Sequence, residues 1–157
     1  MDKTISIRTA TSADYRYLAD VMYDAIWNAP SLYTPEQRKA WCPEVPNGQA
    51  WDQRLSEQIV FLAEQGRAVV GFMSLASPDY IDFAYIRPDF QKKGLFRRLF
   101  VEVEKQGRLS NAEKLWTHAS LMALPAFAAM GFDICEPEIV ERSGEKLKRF
   151  KMQKTLH

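Results

Sequence analysis

Apolar and polar positions along the chain change period several times, and each change marks an element. In TISIRTA, Ile5 and Ile7 alternate with Ser6 and Arg8, the two-residue period of a half-buried strand. Thr11 and Asp14 then stand three apart, a weak variant of the capping box. Beyond them Tyr15, Leu18, Ala19, Met22 and Ile26 recur at helical spacing, until Asn28-Ala29-Pro30 stops the run. Thr34-Pro35-Glu36-Gln37 predicts a second helix, with Thr34 as N-cap, proline at the first helical position and Gln37 three beyond the cap. Cys42-Pro43 and Pro46-Asn47-Gly48 keep it short, and AWDQRLSEQ supplies a third helical piece.

The pattern then turns to strands. IVFLAEQ and RAVVGFMSLAS read as a hairpin about Gln65-Gly66, and YIDFAYIRP makes a further strand over 79–87. Leu95, Leu99 and Val103 with Phe96 and Phe100 predict a helix over 95–107, and KLWTHAS a strand over 114–120. LPAFAAMGF reads as a short helix closed by Gly131. FDICEPEIVE and EKLKRFKMQKTL then pair across Arg142-Ser143-Gly144. The stretch 79–120 is therefore strand, helix, strand, a connection that makes the two strands parallel with a right-handed crossover. In such sheets ligands bind outside the carboxyl ends of the strands, beside helix N-termini.

The loop at that place is Gln91–Phe96, with Lys92, Lys93 and Gly94 just before the helix. The first four N–H groups of a helix have no internal partner, and the helix dipole adds partial positive charge, so the loop can bind an anion. A plain strand-to-helix turn with solvated lysines is the other reading. No glycine-lysine-serine/threonine and no dinucleotide glycine triplet occurs, so neither of those phosphate loops is present.

Composition narrows the class. At 157 residues the chain is expected to form one domain over 1–157, and 46% hydrophobic with 26% charged residues are ordinary globular values. A net charge of +1 argues against a nucleic-acid binder, which carries a strong basic excess. The first ten residues do not resemble a signal peptide, and the longest apolar runs fall short of the roughly 20 residues of a spanning helix. The expectation is a soluble, cytoplasmic protein with Cys42 and Cys135 as free thiols and no metal-ligand spacing.

With the elements in this order, the chain resembles the GNAT superfamily of N-acetyltransferases. The family pattern is a strand ending in an aliphatic residue, then Pro, then Gln/Arg-x-x-Gly-x-Gly/Ala opening a helix. It stands here as Ile86, Pro88 and Gln91-Lys92-Lys93-Gly94-Leu95-Phe96. LPAFAAMGF is similar to the family's short helix ending in Gly-Phe, and FKMQKTL to a common family ending. The resemblance implies an α/β fold, a mixed and mostly antiparallel twisted sheet of about seven strands with a central parallel pair and flanking helices. It implies acetyl-CoA as co-substrate, no metal, and transfer of the acyl group by direct attack of an acceptor amine in a ternary complex. The acceptor is a small-molecule or peptide amine; no nucleic acid or membrane partner is implied, and a homodimer is left open.

The resemblance also assigns residues. Backbone N–H groups from Lys92 to Arg97 would hold a pyrophosphate, with charge from Lys92, Lys93 and Arg97. The pantetheine arm would lie beside Ala84, Tyr85 and Ile86 as an added strand does, with Ser120 on the opposite strand. Two positions depart from the family. Phe96 replaces a small residue, so its ring must turn away from the pyrophosphate. Phe127 stands where relatives often carry a tyrosine that protonates the leaving thiolate, and it has no proton to give.

An amine of pKa about 10.4 is free base at pH 7 in only about 0.04% of molecules, so a base is useful. Strand alternation puts Tyr80, Asp82 and Ala84 on one face and Ile81, Phe83 and Tyr85 on the other. Asp82 is the candidate base, directly or through water, with Tyr80 orienting the acceptor; a carboxylate tied to a nearby cation is the alternative. His118 reads as a satisfied core histidine and EKLKRFK as an exposed strand face. Trp27, Tyr33 and Trp41 are candidates for the acceptor pocket, which relatives build from the early helices. Phe96 and Phe127 keep a second function open, a non-catalytic acyl-CoA-binding or sensor domain. A basic-loop RNA-binding module is a third reading, without the charge excess it needs.

Overall fold

The computed structural model describes residues 4–156, so the ends of the expected 1–157 unit, residues 1–3 and 157, lie outside the described residues. Seven strands form one sheet: β1 (Ile5–Thr9), β2 (Ile59–Gln65), β3 (Ala68–Ala76), β4 (Tyr80–Ile86), β5 (Lys114–Ser120), β6 (Asp133–Arg142) and β7 (Glu145–Thr155). Their order is β1-β2-β3-β4-β5-β7-β6, with β4 and β5 parallel and every other neighbouring pair antiparallel. Five helices flank it: α1 (Tyr15–Asn28), α2 (Pro35–Trp41), α3 (Gly48–Ser56), α4 (Leu95–Leu109) and α5 (Leu124–Ala129). None of the described helices is long and apolar enough to cross a membrane.

Local chemistry explains the element ends. Thr34 caps α2 as the sequence predicts: its Oγ1 accepts from the Gln37 N–H at 3.1 Å, and the Gln37 side chain accepts from the Thr34 N–H at 2.8 Å. Helix α4 runs two residues beyond its expected end at Gly107. That glycine is a packing residue, because a Cβ there would sit 3.0 Å from Leu115 and 3.4 Å from Leu156. The Ser143-Gly144 turn between β6 and β7 takes positive φ at both residues, the conformation a two-residue hairpin requires.

Two apolar cores lie on opposite faces of the sheet. Leu18, Met22 and Ile26 of α1 with Trp51 and Leu55 of α3 pack on Leu62, Phe72 and Phe83. Leu95, Leu99 and Val103 of α4 with Phe127 of α5 pack on Ile81, Ile86, Leu115 and Ala119. The cores fix the position of the parallel pair, where β4 and β5 meet over only two residue pairs, Tyr80 with Trp116 and Ile81 with Thr117.

Candidate functional site

Beyond Ile81 the two parallel strands part, and a β-bulge shows why. Leu75 pairs with Ile81 and Met73 with Ala84, so Asp82 and Phe83 together face the single residue Ser74. The Ser74 hydroxyl accepts the Phe83 N–H at 3.0 Å and satisfies the group the bulge leaves over. A bulge bends its strand and shifts the side-chain alternation by one. The expected faces are corrected accordingly. Asp82, Phe83 and Tyr85 lie with Tyr80 on the α1/α3 side, whereas Ala84 joins Ile81 and Ile86 against the α4 core.

The bulge also decides which backbone groups face the gap. Arg87 N–H donates to the Val70 carbonyl at 2.9 Å, and Tyr85 pairs with Phe72 two residues away. Antiparallel alternation then turns the Tyr85 backbone toward β3 and leaves the N–H and C=O groups of Ala84 and Ile86 facing the gap. The Gln91 side chain donates to the Ile86 carbonyl at 2.9 Å, tying the loop to the strand end.

A groove of about 770 Å³ follows the gap, lined on one side by Ala84, Tyr85 and Ile86 and on the other by Ser120 and the start of α5. At its end Lys92 (φ 61) and Gly94 (φ 81) take left-handed conformations, and Gly94 N-caps α4 with no side chain bonded to the first turn. Successive N–H groups in such turns form an anion-binding hollow. The N–H groups of the first α4 turn, Gly94 to Arg97, lack intrahelical partners by construction. Phe96 has turned its ring edge-on to Phe127, with centroids 5.0 Å apart. The larger side chain at the sixth motif position is therefore packed against α5 while its backbone stays at the groove.

A second, smaller cavity of about 190 Å³ opens on the α1/α3 side and shares Trp41, Tyr85 and Ser120 with the groove. Its floor is polar. The Asp82 carboxylate, nearly buried, accepts from Arg54 Nε at 2.8 Å, Arg54 Nη2 at 2.6 Å and Gln58 Nε2 at 2.6 Å. Its negative charge, foremost through the hydrogen bonds, holds the Arg54 guanidinium above its ordinary pKa. Tyr80 Oη and His118 Nδ1 are 2.9 Å apart, and His118 Nε2 lies 3.4 Å from Glu138, which also accepts from Arg149 Nε at 3.0 Å. Burial, reinforced by the Asp82 charge, raises the Tyr80 phenol. Burial first and then the Arg149 charge lower His118.

Not every residue singled out in the sequence reaches these cavities. Tyr80, Asp82, Tyr33, Trp41, Tyr85 and Ser120 line the smaller cavity. Ala84, Ile86, Gln91, Lys92, Gly94 and Phe96 line the groove. Leu95 is core, Lys93 is exposed with its ammonium 5.8 Å from the Phe90 ring, and the Arg97 side chain is exposed outside the groove lining. Phe127 is 2% exposed between Phe96 and Phe132, so it supports the groove wall without lining it. Trp27 lies away from both cavities: its indole N–H donates to the Cys42 carbonyl at 2.8 Å and Arg38 covers its ring. Cys42 and Cys135 are free thiols, and burial lifts Cys42 to about 11.

Two readings of the sequence are corrected. His118 has partners at both ring nitrogens as expected but lines the cavity instead of the core, and Leu147 and Arg149 bring one face of the EKLKRFK strand into the cavity. The signal for His118 was present, since it alternates with Ser120 on the same strand face. No group of three or more metal-binding side chains occurs among the described residues.

The sequence matches the family described as an acetyltransferase (GNAT) domain over residues 30–156. It is 27% identical over 150 residues to the uncharacterized N-acetyltransferase YafP of Escherichia coli K12, covering 95% of each chain. Its structure is similar to that of a GCN5-related N-acetyltransferase from Rhodopseudomonas palustris, with a TM-score of 0.88 at 28% identity, covering 99% of this chain and 98% of that one. The fold also matches PaiA N-acetyltransferase from Thermoplasma acidophilum in complex with coenzyme A, with a TM-score of 0.74 at 18% identity over 98% and 99% of the two chains.

Proposed function

The chain belongs to the GNAT acetyltransferase family, and from that premise we propose that it is an acetyl-CoA-dependent N-acetyltransferase acting on a small-molecule or peptide amine. The observation that carries this reading is the groove between the parted strands, which ends at the uncapped first turn of α4 and shares Trp41, Tyr85 and Ser120 with a polar cavity. Acetyl-CoA would supply the activated acyl group as a thioester. The first-turn N–H groups and Lys92 suit its pyrophosphate, and the gap-facing backbone of Ala84 and Ile86 suits the amides of its arm. An N–H on that same edge is positioned to stabilise a developing oxyanion, an effect worth about 10² to 10³ in rate. Trp41, Tyr85 and Ser120, common to both cavities, mark where the acyl carbon would meet the amine.

Asp82 takes the part of an anchor in this reading. Three donors already occupy its oxygens, which suits it to fix Arg54 and hold negative charge near an ammonium more than to accept a proton. Recombinant protein given acetyl-CoA and a panel of amines is expected to release free thiol only when both are present. Tight CoA binding with no turnover on any amine would favour the alternative, a non-catalytic acyl-CoA-binding or sensor domain, to which the apolar Phe127 points.

A further inference from the structure

We propose that Tyr80 and His118 form the proton relay that deprotonates the acceptor amine, with Glu138 fixing the imidazole. The inference rests on the acetyltransferase reading and deepens it. Tyr80 and His118 both line the acceptor-side cavity, and Tyr80 Oη stands 2.9 Å from His118 Nδ1. On the far side of the ring the Glu138 carboxylate lies 3.4 Å from Nε2. A carboxylate there favours the tautomer with the proton on Nε2, which leaves the Nδ1 lone pair to accept from the phenol. The Tyr80 oxygen then offers its own lone pairs to the cavity.

Two other polar side chains of the cavity, Asp82 and Tyr33, are committed elsewhere. Asp82 is held by Arg54 and Gln58, and the Tyr33 hydroxyl accepts from the Leu121 N–H at 2.9 Å and donates to the Lys148 carbonyl at 2.6 Å. The charged groups facing His118 are Asp82 from β4, Glu138 from β6, and Arg149 and Lys151 from β7, with Tyr80 the neighbouring titratable phenol. Arg149 and Lys151 oppose the imidazolium while Glu138 and Asp82 favour it, and burial tips the balance toward the neutral ring. A ring that is neutral at pH 7 is the form that accepts a proton.

The steps balance. The acceptor ammonium gives one proton to the Tyr80 oxygen as the phenol proton moves to His118 Nδ1, leaving a neutral amine. Its lone pair forms the C–N bond as the C–S bond breaks. The surplus N–H proton ends on the departing thiolate, so coenzyme A leaves as the thiol. The imidazolium, 21% exposed, passes its Nδ1 proton back through the Tyr80 oxygen to water once the product has left, which restores the neutral ring with its proton on Nε2 beside Glu138. One proton per turnover reaches the solvent.

The test combines kinetics with nitrogen NMR of the imidazoles, which is tractable because the chain has two histidines. In the wild-type protein His118 is expected to carry its proton on Nε2 and to titrate below 6.5, and Tyr80→Phe to change its Nδ1 shift. With an acceptor found by the amine panel, kcat/KM is expected to rise with pH through the His118 titration. His118→Gln is expected to lose this limb and about 10² to 10⁴ in kcat/KM at pH 7. It should regain rate as pH approaches the pKa of the free amine, with acetyl-CoA affinity unchanged. A solely structural histidine would lower stability or affinity without altering the pH profile. His118 protonated on Nδ1, or His118→Gln within threefold of wild type with the same limb, overturns the relay alone. Wild-type protein that binds CoA yet acetylates no amine overturns the acetyltransferase reading and the relay with it.

Discussion

Tyr33 and Asp82 act by what they hold. The Tyr33 hydroxyl ties the Leu121 amide after β5 to the Lys148 carbonyl of β7, and Tyr33→Phe leaves both without it. We expect a loss of about 1 to 3 kcal/mol, the cost of an unmade hydrogen bond in a part-buried site, read as a shift in the urea midpoint. Asp82→Asn separates two roles. If the carboxylate anchors Arg54 and draws the ammonium, the acceptor KM should rise about tenfold, equivalent to about 1.4 kcal/mol, while the acid limb of the pH profile persists. Disappearance of that limb in steady-state kinetics would restore Asp82 as the base. The sequence singled out Asp82 but not what occupies it, since Arg54 and Gln58 reach it across 28 and 24 residues of chain. Trp27 shows the converse: its residue type suits a substrate pocket, and only packing reveals that its indole is spent on Cys42.

The bulge in β4 is the element on which the site turns. Counting by twos along YIDFAYI gives the wrong face to Phe83, Ala84 and Tyr85, because two-against-one pairing opposite Ser74 is a property of the β3–β4 pair and not of either strand. Ser74→Ala removes the acceptor of the Phe83 N–H in a fully buried setting. It should destabilise the fold by about 1 to 3 kcal/mol in chemical denaturation. The α4 entrance was easier to read as a helix start, since glycine before a helical run suits the left-handed N-cap that Gly94 takes there. At Gly94 a Cβ would meet nothing within 4 Å, so Gly94→Ala costs only the left-handed backbone, about 1 to 2 kcal/mol. The same change should weaken acetyl-CoA binding in calorimetry by distorting the N–H hollow.

Across the whole molecule, the order of strands and helices was legible because each apolar period survives in its own segment. The seven-stranded sheet with one parallel pair agrees with the family resemblance. The position of the smaller cavity was not legible, because it is assembled from α1, α2, α3, β4, β5 and the β6–β7 hairpin, whose residues meet only once the sheet has closed. The two cores press α1 and α3 on one face and α4 and α5 on the other, and the parted strands between them border the groove that we propose binds coenzyme A. Amide NMR during titration with coenzyme A tests that arrangement most directly. The largest shifts are predicted at Gly94 through Arg97 and at Ala84 and Ile86, with Tyr85, whose amide faces β3, moving less. Saturable binding that leaves those amides unmoved, or no binding at all, would contradict it.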